Sequence, residues 1–216
     1  MNVPRGLVFL SAVWLVITWV ATVGLHAPMV SNTVTYGYQS SQLIQSAMVG
    51  MTIAWPLVRL TVATPSQPVS STLLDALCLG VMAQLLIWPL REVCGWTVGR
   101  AFVLDGTILG WLAVVAGIVA AGRSTHRTWG RMTAMTLLVA VAATGPIVAT
   151  MLGDRAASGL GPLSATSTIA GMGLAPHTDL DIAILGQSIV AAVIVWAIVA
   201  AAALHARPTH HTIESS

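Results

Sequence analysis

The chain reads as an all-α polytopic integral membrane protein with six transmembrane helices and a short external or re-entrant helix before the last span. Composition is the first observation: 56% of the 216 residues are hydrophobic and 7% are charged, too little polar surface to coat a globule of this size. The second is the stretch Phe102 to Ala121, whose only ionisable residue is Asp105. About 20 such residues at ~1.5 Å rise cover the ~30 Å hydrocarbon layer. The third is the short basic loop that follows, with Arg123, His126, Arg127 and Arg131, of the kind retained on the cytoplasmic side.

In chain order, Leu7 to Leu25 follows a short positive lead and is read as a retained first span, since it is longer than a signal-peptide core. An uncharged outer connection, Ala27 to Gln42, carries Tyr36 and Tyr38, residues suited to the interface. The second span is expected at Leu43 to Leu60, bent at Pro56, with Arg59 at its inner end. The third is expected at Leu73 to Leu90, with Asp75 in its first turn and Trp88 and Trp96 as an outer aromatic belt. Phe102 to Ala121 is the fourth span and Met132 to Leu152 the fifth, with Gly145-Pro146 predicting a kink. Residues 153–181 are too long for an idle connection, and Gly161-Pro162 marks a helix start at about Pro162 to Ala170. The last span, Ile182 to Leu204, ends in Arg207 and a His210-His211 tail. The whole forms a single membrane domain, with both termini on the cytoplasmic side. Six arginines then lie inside and three outside, in keeping with the positive-inside bias.

The chain has nine arginines and no lysine, which excludes a phosphate-loop lysine, a Schiff-base lysine and a Ser-Lys dyad. Abundant Ala, Val, Gly and Arg suggest a GC-rich bacterial genome, hence a bacterial cytoplasmic membrane. The arginines are spread over many loops and form no nucleic-acid patch. Cys78 and Cys94 read as free thiols, because 16 residues of helix would hold them roughly 24 Å apart against a bridging limit of about 7 Å. The histidines lie at or beyond span ends, which disfavours a bis-histidine haem, and no set of metal ligands stands at suitable spacing. No catalytic set emerges, and no cofactor is expected.

Charges near mid-bilayer usually mark function. Asp75 and Asp105 are each expected within about a turn of a membrane boundary, as a cap and as an interface ion pair; Arg91, Arg100 or Arg155 would partner Asp105. Gln84, near the centre of span three, and Gln187, one turn into span six, are expected either to bond between helices or, with Asp105, to line a substrate path. Gly106, Gly110 and Gly117 recur on one face of span four as a helix-packing stripe, within one subunit or at a dimer face.

Six spans, termini inside and a long outer segment before the last span resemble the membrane half of ABC-2-type exporters, and Gly161-Pro162-Leu163-Ser164 falls where that family often has a Pro-Leu-Ser/Thr step. The resemblance implies a permease subunit, used as a dimer with a separate ATPase, that moves a lipidic or amphipathic molecule. Its inner contact surfaces would be Thr61 to Ser71 and the basic loop with Arg123, Arg127 and Arg131. The other expectation is a noncatalytic subunit of a respiratory or other membrane complex.

Overall fold

A computed structural model of the chain describes residues 5–24, 33–62, 66–125, 128–153, 159–171 and 179–205. Every element among them is helical: α1 (Arg5–Trp19, continued by a π-helical turn Val20–Gly24), α2 (Thr33–Val49), α3 (Trp55–Thr61), α4 (Pro68–Cys94), α5 (Val98–Ser124), α6 (Thr128–Leu152), α7 (Pro162–Gly171) and α8 (Asp179–His205). Five helical stretches, Gln39–Thr61, Pro68–Cys94, Val98–Ser124, Thr128–Leu152 and Leu180–Ala203, are long and apolar enough to cross a membrane. The N-terminal helix holds a shorter apolar stretch, Phe9–Thr22, at the place of the first expected span. The protein is thus an all-α polytopic membrane protein.

The helix α5 is the axis of the bundle. Leu104, Val115, Val119 and Ala120 are fully buried, and the helix is enclosed by α4, α6, α7 and α8. It runs parallel to α8, and Gly106, Gly110 and Gly117 lie against Leu185, Ser188 and Val195 in turn. Missing side chains on α5 let the two backbones approach, and the Trp196 indole donates across the contact to the Ala113 carbonyl at 3.0 Å. α6 and α8, by contrast, turn most of their apolar side chains outward, Leu137, Val139, Ile189 and Val193 among them. In lipid such exposure carries no hydrophobic cost.

Several helices extend past the expected spans, for physical reasons visible at their ends. α2 begins at Thr33 rather than near Leu43; Gln39 and Ser40, ahead of the expected span, are buried, and α2 packs on α7. α4 starts at Pro68, where a proline's missing N–H costs nothing, runs through Pro89 and ends on Gly95 in the left-handed conformation. Thr97 caps α5, accepting from the Arg100 N–H at 3.3 Å. The bend expected at Pro56 takes the form of a π-helical turn, Gly50–Ala54, joining α2 to α3. The wider turn spares the proline ring its clash with the preceding carbonyl. Trp96 is buried, so it forms no part of an exposed aromatic belt. Cys78 and Cys94 are free thiols.

The short helix α7 covers the expected stretch and one residue more. It folds back into the bundle against α2, α5 and α6. The preceding turn, with Gly159 at φ +88 and Gly161 at φ +99, places Gly161 against the Val141 carbonyl of α6. Val141 lies 11 residues before the end of α6 at Leu152, about 16 Å along the axis. α7 then climbs back toward the start of α5, with Ala165, Thr166 and Ile169 fully buried. Gly145 is the socket for this return, since a side chain there would collide with Ser164 and the Leu160 carbonyl.

Candidate functional site

Four features organise the polar and hollow parts of the bundle. The first is a pair between α4 and α5. Asp105 on α5 accepts from the Gln84 amide of α4 at 2.5 Å, and the Gln84 carbonyl oxygen accepts from the Trp88 indole at 2.8 Å. The Trp88 ring meets Phe102 edge to face at 5.3 Å. Because α5 begins at Val98, Asp105 is seven residues, about 10 Å, along the helix, beyond its first turn. Its partner is the Gln84 amide rather than an arginine: Arg91 pairs with its neighbour Glu92 at 2.6 Å, and Arg155 lies outside the described residues.

The second feature sits at the end of the bundle where α5 and α8 begin. Arg100 and Asp181 are both buried and within electrostatic reach of each other, and the Arg100 Nε donates to the Ile169 carbonyl of α7 at 3.2 Å. Asp181 was not among the residues singled out from sequence, being the last residue of an expected loop. Its signal was a carboxylate beside a helix start, a position the helix dipole favours. The arrangement ties α7, α5 and α8 together.

The third feature lies at the opposite end. Arg59 of α3 and Asp75 of α4 form an ion pair at 2.5 Å. Asp75 is the eighth residue of α4, past its first turn, so its role is a charge partner rather than a cap. Arg123 of α5 donates to the Ser71 and Thr72 hydroxyls at 3.2 and 3.1 Å, and Arg131 of α6 reaches the Leu60 carbonyl at 3.5 Å. Arg123 is 4% exposed, which removes it from any partner-docking surface, while Arg131 is half-buried. Arg127 lies outside the described residues, as do residues 63–65 of the inner connection.

The fourth is an apolar cavity of about 180 Å³ bounded by α1, α2, α3 and α4. Leu7, Leu15, Met51, Trp55, Leu79 and Ala83 contribute to its walls, and Ser11 is the one hydroxyl among them. The π-helical turn shapes it. Gly50 in that turn lies under the Trp14 ring, whose indole donates to the Ser46 carbonyl at 3.2 Å and so ties α1 to α2.

Gln84 and Asp105 therefore meet, but Gln187 does not join them: it is exposed on α8 beside Gly159, and α4 and α8 pack on separate flanks of α5. Among the described residues no group of three or more His, Cys, Asp or Glu could hold a metal ion. Compared with family models, curated proteins and solved structures, the chain matches none.

Proposed function

We propose that this chain is the membrane-spanning permease subunit of an ABC-2-type exporter in a bacterial cytoplasmic membrane, moving a lipidic or amphipathic molecule and energised by a separate ATPase. The observation that carries the reading is the apolar cavity between α1 and α4, whose lining suits a hydrocarbon chain and little else. The re-entrant α7 ahead of the last long helix supports the family layout. The described intramembrane carboxylates support an external energy source, because Asp75 and Asp105 are engaged by Arg59 and Gln84. Coupling to protons or sodium would have to break one of those pairs. The glycine face of α5 is occupied by α8, so a dimer would use the outward faces of α6 or α8. Purification from its native membrane should bring down an ATPase whose hydrolysis rate changes when Ser124 to Thr128 is deleted. Full function in a preparation free of ATPase refutes the reading.

A second reading, a noncatalytic subunit of a larger membrane complex, is favoured by an open groove between α6 and α8. It has a volume of about 280 Å³ and a floor of Gly117, Ala121, Gly122 and Gly130, which would admit a helix from another protein. Crosslinking from Leu137 or Ile198 distinguishes the two, since it yields at most a second copy of this chain in the first and a different integral membrane protein in the second.

A further inference from the structure

The apolar cavity has the form of a slot. Its walls recur one and two turns along α1, at Leu7, Ser11 and Trp14, and likewise along α4, at Leu79, Ala83 and Leu86. Seven residues of helix on each side make it about 10 Å long. Its volume of about 180 Å³ exceeds the ~150 Å³ void that holds a benzene ring, and its length matches roughly eight carbons at the ~1.2 Å per bond of an extended chain. Among its wall residues Leu10, Trp14 and Val58 are exposed whereas Met51, Trp55 and Ala83 are buried, so the slot opens outward between α1 and α3. None of its described wall residues is charged. The walls offer no free donor either: the Ser11 hydroxyl donates to the Leu7 carbonyl at 2.8 Å, the Trp14 indole to the Ser46 carbonyl, and the Trp55 indole nitrogen is shut from the surface.

A void of this size is costly to a packed bundle when left empty. A head group or an ester entering it would give up hydrogen bonds to water and gain none, which leaves hydrocarbon as the occupant. A single ring would fill one of the two helical turns; an extended chain fills both. From this shape and lining we infer that the slot holds one acyl chain of a membrane phospholipid, laid along α1 and α4 and selected by the chain without regard to the head group. The inference rests on the proposed reading for the cavity as a ligand site, and it names the part of the ligand that is recognised.

Binding is read on the purified full-length chain, so its failure is distinct from a failure to find an ATPase. Dioleoyl phosphatidylcholine, dioleoyl phosphatidylglycerol, 1-oleoyl lysophosphatidylcholine and dihexanoyl phosphatidylcholine are titrated into delipidated protein in a steroid-based detergent, which has no alkyl chain to compete. Bound lipid is counted by native mass spectrometry, and melting curves confirm that each variant is folded. The expected result is one retained lipid, with the two dioleoyl head groups equal and the single-chain lipid held as well as either. Dihexanoyl phosphatidylcholine should bind about tenfold more weakly, because its chains fall short of the slot's length by two or more carbons. Ala83→Leu and Ser11→Leu each grow a side chain from one wall and should each lower retention of the dioleoyl lipids about tenfold. Ser11 is half-buried, so Ser11→Leu serves if Ala83→Leu fails to fold. No retained lipid, a preference of about tenfold for either head group, dihexanoyl lipid held as firmly as dioleoyl, or unchanged retention in Ser11→Leu overturns the inference.

Discussion

Gly110 of α5 faces Ser188 of α8 so closely that a methyl group on Gly110 would lie 2.5 Å from the serine hydroxyl and 3.3 Å from its backbone carbonyl carbon. The hydroxyl can rotate away, but the Ser188 Cβ, 2.9 Å from that methyl, is fixed by the backbone and cannot. Gly110→Leu should therefore push α8 off α5 and cost about 1–3 kcal/mol, as overpacking of a tight core does. Gly186, also on α8, has nothing within 4 Å of where a side chain would start, so Gly186→Ala should be neutral or add about 0.5–1 kcal/mol through helix propensity. Melting curves of the two variants in one detergent check the contrast. Equal melting temperatures would remove the close approach from the account.

The Asp105–Gln84 bond makes a prediction about which partner is dispensable. Asp105 is 8% exposed, so Gln84→Leu leaves a buried carboxylate without its donor and should lower stability by roughly 1–3 kcal/mol. Asp105→Asn keeps an acceptor for the Gln84 amide and should change stability by less than about 1 kcal/mol. The double variant Gln84→Leu with Asp105→Leu should melt above Gln84→Leu alone, since it removes the stranded carboxylate and leaves only the half-buried Trp88 indole without its acceptor. The three melting temperatures in one detergent decide it; a double variant melting lowest of the three would show that the bond is not the source of the cost.

The crossing helices were legible in sequence because a bilayer demands long apolar runs, and α7 was legible because Gly161-Pro162 is a strong start signal. Their ends were not legible. Whether Gln39 and Ser40 are helix or loop depends on whether α7 buries them, a contact between residues more than 120 positions apart. The pairing of Asp105 was equally hidden: a carboxylate near Arg100 in sequence suggests an ion pair, yet on a helix Arg100 and Asp105 point in different directions, and Arg100 turns toward Asp181 and the Ile169 carbonyl. The cavity had no local signal, since its walls come from α1, α2, the π-helical turn, α3 and α4, segments brought together only by the fold.

The start of α1 and the end of α8 lie at the same end of the bundle, the end that carries Arg59, Arg123 and Arg131. α1 runs antiparallel to the α2–α3 rod, with Trp14 at Gly50, and α8 runs parallel to α5. In the proposed orientation, which follows the positive-inside rule, that end faces the cytoplasm. Fluorescent-protein fusions at either terminus should therefore be bright, and periplasmic alkaline phosphatase fusions at the same sites inactive. An active phosphatase at one terminus alone would mean an odd number of crossings, and α1 would be the helix that fails to span.

Removing Asp75 should be worse than removing the whole Arg59–Asp75 pair. Asp75 is 2% exposed and is the one carboxylate among the described side chains around three guanidinium groups, whereas the Arg59 side chain is 21% exposed and partly hydrated. Asp75→Ala strands Arg59 and Arg123 together. Fully buried pairs lose about 3–5 kcal/mol when one partner is deleted, and the hydration of Arg59 should bring the loss here to about 2–3 kcal/mol. Substituting both, Arg59→Met with Asp75→Met, fills the same space with apolar groups and should fall within about 1 kcal/mol of the parent. Salt provides an independent check, because a pair this buried is screened far less than a surface pair. The deficit of Asp75→Ala should thus persist from low to molar salt. If high salt restores the variant to the parent's melting temperature, the pair behaves as a surface contact and its burial contributes nothing to its strength.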